Sequence, residues 1–179
     1  MNPANFVKTI AWTDFTEKTV CPVNPYHSAF TKAKWPFSYD YDKNLDAKYT
    51  VSSKSLKVTV AMDTANSWVM KNDKSADLLN HEQGHYNITA LGARDFMNGV
   101  LALETDTVKE LTKAITDLAN STQSEINSVN SMYDDDPNCG TDHGSKADKQ
   151  AQWDLRIKNA MNDPKGTLDS VASCPAATP

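Results

Sequence analysis

The sequence predicts an α+β fold, with an N-terminal mixed or antiparallel sheet followed by a helical half. Two stretches alternate between apolar and polar residues, as half-buried strands do: Trp35 to Tyr41, which places four aromatic rings on one face, and Leu56 to Met62. A further strand is predicted from Phe6 to Trp12. After residue 75 the apolar spacing changes to threes and fours, the period of a helix. Strands that precede helices, rather than alternate with them, indicate an α+β protein.

Three helices are predicted in the second half of the chain, over residues 75–103, 108–132 and 146–161. Asp73 or Ser75 can cap the first helix, and the apolar seam of the second is expected to pack on it. Residues 133–144 contain acidic residues, Pro and Gly, and they predict a loop. The tail after Pro164 is expected to be poorly ordered unless Cys174 ties it down.

Length and charge restrict the class of protein. The chain of 179 residues is expected to form one domain, strand-rich over 1–70 and helical over 75–162, with a tail over 163–179. Eighteen basic against 23 acidic residues give a net charge of −5, which argues against a nucleic-acid partner. No apolar run approaches the roughly 20 residues that a membrane-spanning helix needs.

The cysteines and the amino terminus leave two compartments open. Cys21, Cys139 and Cys174 are far apart in sequence and form no C-x-x-C pair, so a cysteine zinc knuckle is excluded. One long-range disulfide is predicted, with its pairing open, if the compartment is oxidising. The amino terminus lacks the basic and apolar segments of a secretion signal. The protein is therefore either intracellular or a mature form whose leader has been removed.

The first predicted helix carries the array His81-Glu82-Gln83-Gly84-His85. Residues four apart project from one helix face, so the imidazoles of His81 and His85 can reach the same metal ion. Glu82 lies one position around the helix, where its carboxylate can accept a proton from a metal-bound water. The array predicts a zinc site with Glu82 as general base.

A third zinc ligand must come from elsewhere in the chain. The extended pattern with a third histidine on the same helix is excluded, because Ile88 and Leu91 occupy the positions that Gly and His would need. His143, in the loop before the last helix, is the preferred candidate. Three alternatives stay open, namely its neighbour Asp142, and Glu104 and Glu110 near the second helix.

Four blocks of the sequence, in the same order, resemble a bacterial domain-of-unknown-function family, number 922, whose members are predicted secreted zinc-dependent proteases. These blocks are Ile10–Phe15 (W-x-D-F), Leu79–Tyr86 (H-E-Q-x-H and an aromatic residue), Tyr133-Asp134 with Thr141–Gly144 (Y-D, then T-x-H-G), and Gln150 with Trp153 (Q-x-x-W). The third block departs from the compact family pattern, because six residues, Asp135 to Gly140, separate its two parts. A disulfide from Cys139 would pin this insertion.

The resemblance implies a zincin-like architecture, secretion or a periplasmic location, and His143 as the third ligand. The expected activity is zinc-dependent hydrolysis, most simply of a peptide bond in a peptide or protein substrate. In this mechanism Glu82 takes the proton of the zinc-bound water and passes it to the leaving amine. Tyr133 either donates a hydrogen bond to the oxyanion or lies in the core. An edge strand, Leu56 to Met62 or the segment through Trp68, would align an extended substrate.

Two other classes of function fit the same residues. In a non-catalytic zinc domain, Asp134 or Asp142 would fill the fourth position and the metal would only brace the fold. In a metal-free binding module, the aromatic strand face and the helices would engage a protein or a glycan. Neither the substrate nor the oligomeric state can be predicted from the chain.

Overall fold

The chain forms an α+β fold, as the sequence predicts, in a computed structural model that describes residues 6, 8–23 and 26–174. Within these residues the strands are short and are followed by three helices. The strands are β1 (Thr16–Lys18), β2 (Ala29–Phe30), β3 (Ala33–Lys34), β4 (Phe37–Ser38), β5 (Tyr41–Lys43), β6 (Tyr49–Val51), β7 (Lys57–Val58), β8 (Ala61–Met62) and β9 (Trp68–Met70). The helices are α1 (Ala76–Leu101), α2 (Val108–Asp135) and α3 (Ala147–Asn162).

The strands form one mixed sheet and three antiparallel pairs. In the mixed sheet β9 is central, parallel to β1 and antiparallel to β2. The pairs β3–β8, β4–β7 and β5–β6 form a ribbon that is interrupted where the sequence predicts two continuous strands. Pro36, which lies between β3 and β4, has no N–H to donate to the ladder, and this accounts for one interruption. All three residues of β9 are buried, as expected of a central strand.

The predicted strand from Phe6 to Trp12 is wrong for the residues that the structure describes. Residues 8–11 adopt no regular structure, and Trp12–Asp14 forms a 3-10 turn in which Asp14 Oδ2 accepts a hydrogen bond from the Ala11 N–H. The Ile10 N–H instead donates to Gln83 Oε1 on α1, at 2.9 Å. This segment is therefore held by the helix and not by a sheet.

The predicted helices are confirmed, with one difference at the end of α2. Ser75 caps α1 by accepting the Leu78 N–H on its side chain, and Thr107 with Glu110 forms a capping box at the start of α2. Helix α2 continues three residues into the predicted loop, so that Tyr133 to Asp135 form its last turn. That turn faces α1 and contributes to the site described below.

Helix α1 is the centre of the molecule, because it packs against α2, α3 and the strands. Its faces enter three clusters of buried residues, which join Ile88 and Leu91 to α2 and α3, Phe96 and Val100 to α2 and the ribbon, and Tyr86 to the mixed sheet. Burying a single Leu or Phe side chain stabilises a fold by about 1.5–3 kcal/mol. The helix is thus held on nearly every side, which fixes the side chains that it presents.

A disulfide between Cys139 and Cys174 ties the tail to the loop after α2, whereas the Cys21 thiol is free. Leu168 and Val171 of the tail are buried in the core. The tail is therefore packed up to Cys174. The sequence predicted an ordered tail only if Cys174 tied it down, and the disulfide does so. Among the described residues, no helix is long and apolar enough to cross a membrane.

Candidate metal centre

Helix α1 brings His81 and His85 together as the sequence predicts. Their Nε2 atoms are 3.2 Å apart. The His81 residue is only 1% exposed, and the His85 side chain 13%. The two rings lie nearly perpendicular to each other. The Nε2 atoms of both imidazoles therefore meet at one point beside the helix.

The other ring nitrogens are held by side-chain oxygens of α2, α3 and the loop between them. His85 Nδ1 lies 2.7 Å from Asn130 Oδ1, and His81 Nδ1 lies 3.1 Å from Gln150 Oε1 and 3.3 Å from Thr141 Oγ1. An amide oxygen only accepts hydrogen bonds, so Nδ1 carries the hydrogen in the neutral form of each ring. The Nε2 atoms then present their lone pairs to each other, an arrangement that a cation between them would stabilise.

Asp134, in the last turn of α2, contributes a carboxylate oxygen to the same point. Its Oδ1 is 3.1 Å from His85 Nε2, 3.2 Å from His81 Nε2 and 3.7 Å from His143 Nδ1. From the sequence, Asp134 was expected only as a possible fourth ligand of a non-catalytic zinc site. The signal that could have identified Asp134 is its position directly after Tyr133 in the third family block.

His143 reaches the site from the loop before α3. One nitrogen of its ring and one ligand atom each of His81 and Asp134 all lie within 4.8 Å of one another, and its ring packs on His27, with centroids 4.2 Å apart. The loop turns sharply here, since His143 has φ +52° and Gly144 has φ +82°. A Cβ on Gly144 would lie 3.0 Å from the Cβ of His81, so the close approach of this loop to α1 requires glycine.

Glu82 is buried, 2% exposed, and it lines a cleft together with His85, Asp134 and His143. Its Oε2 has no hydrogen-bond partner in the described part of the chain. A buried carboxylate oxygen without a partner is costly, and such groups often occur where chemistry or ion binding requires them. The structure thus places Glu82 in the cleft onto which His85, Asp134 and His143 also open.

Tyr133 lies in the core and not in the cleft. Its hydroxyl donates to the backbone oxygen of His81 at 3.1 Å and accepts from Gln150 Nε2 at 2.6 Å. Its ring stacks on His81, with centroids 4.7 Å apart, and it passes directly over Gly84, which has no side chain. Burial raises the pKa of this phenol. The structure therefore gives Tyr133 the core position of the two that the sequence left open, and it holds His81 in place.

The alternative third ligands from the sequence are used elsewhere. Glu104 accepts a hydrogen bond from Asn44, and it follows the end of α1, about 30 Å along the helix from His81. Glu110 caps α2 through Thr107. The carboxylate of Asp142 accepts from the Ser145 hydroxyl. These three alternatives are therefore not supported by the structure.

Opposite charges are concentrated at this point. Burial opposes protonation of His85, but the Asp134 carboxylate outweighs it and raises the pKa of His85 to about 9. Burial likewise opposes ionisation of Asp134, but the neighbouring His85 and His81 hold the pKa of this carboxyl well below its usual range. A carboxylate that remains ionised among imidazole nitrogens is a suitable environment for a metal cation.

The cleft at this site has a volume of about 300 Å³. One wall is the segment from Ala29 to Ala33, which includes β2, an edge strand of the mixed sheet. The sequence placed the substrate-aligning edge strand at Leu56–Met62 or in the segment through Trp68, but no residue of either segment lines this cleft. Strands β7 and β8 belong to the ribbon, where they pair with β4 and β3, and Trp68 belongs to β9, which has neighbours on both sides.

Zinc fits these donors. It binds imidazole nitrogens at about 2.0–2.1 Å and carboxylate oxygens at about 2.0–2.2 Å, and two such ligands on a tetrahedral ion are about 3.3 Å apart. The contacts among His81 Nε2, His85 Nε2 and Asp134 Oδ1 measure 3.1–3.2 Å. Asp134 Oδ1 is also buried without a well-aligned hydrogen bond from any described residue. Its charge would be compensated by a cation.

These features define an α+β protein with a candidate metal centre of histidines and carboxylates beside an open cleft. The family model described as "Bacterial protein of unknown function (DUF922)" matches residues 22–144, more than half of the chain, and the chain belongs to this family. The family named from the sequence blocks is thereby confirmed, although the blocks at Ile10–Phe15 and Gln150–Trp153 lie outside the matched range. No curated protein and no solved structure matches the chain.

Proposed function

We propose that this protein is a zinc-dependent hydrolase with a zincin-like site, and that its substrates are peptides. The observation that carries the proposal is the convergence of the Nε2 atoms of His81 and His85 on Asp134 Oδ1, beside the buried carboxylate of Glu82. His81, His85 and His143 would hold the ion, with Asp134 as a further donor at the same point. The opening of this site into a cleft supports a catalytic role.

Zinc, when bound, would make water a stronger nucleophile and would polarise the substrate carbonyl. Glu82 would accept a proton from the attacking water and return it to the leaving amine. Its geometry supports this role, because Glu82 is buried at the cleft and its Oε2 has no hydrogen-bond partner among the described residues, so this oxygen is free to accept a proton. Tyr133 and Gly144 would act indirectly, by holding His81 and the His143 loop in register.

The edge strand supports a peptide substrate. Met70 N–H donates to the Ser28 oxygen, and the antiparallel register continues through Phe30, so Ser28 and Phe30 direct their backbone groups to β9. Ala29 and Thr31 alternate with them and direct theirs to the other edge, which is a wall of the cleft. A substrate in extended conformation would add a strand along Ala29 to Thr31.

One observation favours a second candidate, a non-catalytic zinc domain. Asp134 together with His81, His85 and His143 provides four donors, which is the number that a closed structural site uses. In that case no position would remain for water, and the ion would only link α1 to the end of α2 and the following loop.

The substitution Glu82→Gln separates the two candidates. For a hydrolase we expect the variant to retain zinc, measured by elemental analysis, and to lose at least about 100-fold in the rate of peptide hydrolysis. Glu125→Gln, at an exposed position on α2, is the matched control and should keep the parent rate. A zinc-loaded parent that hydrolyses no member of a mixed peptide library would favour the non-catalytic domain. A parent that binds no zinc would refute both candidates.

We further propose a secreted or periplasmic location. The Cys139–Cys174 disulfide is compatible with an oxidising compartment, where such bonds form and persist. Detection of the protein in the periplasmic or extracellular fraction with this bond intact would support the location. Recovery in the cytoplasm with both thiols reduced would contradict it.

A further inference from the structure

We propose that Gln150 and Asn130 are positioning residues that select the metal-binding nitrogen of His81 and His85. The inference rests on the proposed zinc site, but not on hydrolysis. Each amide oxygen accepts from one Nδ1 atom, at 3.1 Å for Gln150 and 2.7 Å for Asn130. Each therefore commits the ring hydrogen to Nδ1 and leaves Nε2 free to coordinate the ion.

The Gln150 amide has one favourable orientation. Its Nε2 donates to the Tyr133 hydroxyl at 2.6 Å and to Asp154 Oδ1 at 2.7 Å, and Asp154 is itself bonded to Asn80. Rotation of the amide by half a turn would direct its oxygen at the Asp154 carboxylate, which is repulsive. The oxygen therefore faces His81. Asp154 thus acts on His81 indirectly, by fixing the orientation of the Gln150 amide.

Thr141 supports the same assignment at His81. Its hydroxyl donates to the Tyr133 backbone oxygen at 2.9 Å, so its single hydrogen is already used. Toward His81 Nδ1, 3.3 Å away, the Thr141 oxygen therefore accepts. Two oxygens from different elements thus require a hydrogen on the same ring nitrogen.

The Asn130 amide is fixed by its own helix. Its Nδ2 donates to the backbone oxygen of Ile126, one turn earlier on α2, at 2.9 Å. The Oδ1 atom is thereby directed at His85 Nδ1. One helix turn separates Asn130 from Asp134, so α2 supplies both the residue that orients His85 and the carboxylate that meets it.

The inference is tested by zinc affinity, measured by competition with a chromophoric chelator. Because supporting groups of this kind are worth about 10- to 100-fold in metal affinity, we expect a loss of that size in Gln150→Leu and in Asn130→Leu. Asn130→Asp keeps an acceptor oxygen toward His85 Nδ1 and should recover most of the affinity that Asn130→Leu loses. Gln152→Leu, exposed on α3, is the control and should bind zinc as the parent does.

A second measurement separates positioning from general packing. Nitrogen-15 NMR of the zinc-loaded parent, labelled at histidine, should show both rings protonated at Nδ1 and bound through Nε2. Leu variants that keep the affinity of the parent, or a parent that coordinates through Nδ1, would overturn the inference. If the Leu variants bind zinc more weakly and the parent has no peptidase activity, the positioning role would be supported and the proposed hydrolase function refuted. A parent that binds no zinc would overturn both.

Discussion

Replacement of Gly84 by alanine tests whether the close packing of Tyr133 on α1 holds the site together. A Cβ at this position would lie 2.3 Å from the Tyr133 hydroxyl oxygen and 2.6 Å from its Cζ. To reach ordinary van der Waals contact, the ring would have to move by roughly 1 Å, although it is fully buried between His81 and Trp153. Overpacking of this kind costs about 1–3 kcal/mol, and alanine recovers up to about 1 kcal/mol through helix propensity.

We therefore expect Gly84→Ala to lower the free energy of unfolding by about 1–2 kcal/mol, measured by urea denaturation, and to weaken zinc binding because Tyr133 holds the His81 backbone. Gly99→Ala, on the same helix, is the matched control. Its Cβ would meet only the flexible end of Leu118, so the propensity gain should leave the variant close to parental stability. Equal stability of the two variants, with equal zinc affinity, would refute the argument from close packing.

Three further predictions concern the frame around the site. Cys139→Ala should lower the free energy of unfolding by about 3–4 kcal/mol, because the disulfide closes a loop with sequence separation 35 and so lowers the entropy of the unfolded chain. A reductant should destabilise the parent by the same amount and leave the variant unchanged. Arg94→Met should lower the free energy of unfolding, measured in urea, by about 2–4 kcal/mol, because the buried guanidinium donates to the Ala160 carbonyl in the last turn of α3 and to the Asp163 carbonyl just after it. An unchanged stability would contradict this. Hydrogen bonding from Lys34 lowers the pKa of Asp63, so its stabilisation is present above about pH 4 and is lost as pH falls. In thermal melts, the parent should therefore lose more stability on acidification than the Asp63→Asn variant does. Equal losses in the two proteins would refute a stabilising role of the Lys34–Asp63 ion pair.

The helices could be predicted because their apolar periods are long and their caps are local. Their ends were less certain. The acidic run before Pro137 was interpreted as a loop, yet α2 continues to Asp135, because Pro restricts only the residue immediately before it. The turn that was misassigned carries Tyr133 and Asp134. A three-residue error at a helix end therefore concealed a donor of the candidate metal centre.

The pairing of the strands could not be predicted from periodicity. Strand β1 pairs in parallel with β9, about fifty residues later, and neither strand contains more than three residues. Such short ladders depend on tertiary packing more than on the preference of the strands. For the same reason the edge strand beside the cleft was assigned to the wrong segment, since Ala29–Phe30 carries no alternating pattern.

The residues of the site also differ in how far the sequence alone predicts them. His81, Glu82 and His85 follow from one helix turn, and His143 followed from the small number of histidines and from the family blocks. Asn130 gave no signal in the sequence, and the Q-x-x-W block that contains Gln150 did not reveal its role, because an amide that orients an imidazole is identified only when three elements are packed together. Local spacing thus predicts donors on one helix, whereas their supporting groups require the fold.

The covalent link between Cys139 and Cys174 also sets an order of events during biosynthesis. The segment that presents His143 begins beside Cys139, but its partner sulfur emerges 35 residues later, after the whole of α3. Until then, an early translation product has this segment anchored by non-covalent contacts alone. The full set of contacts that holds this segment is consequently available only after the downstream chain has emerged and the bond has formed.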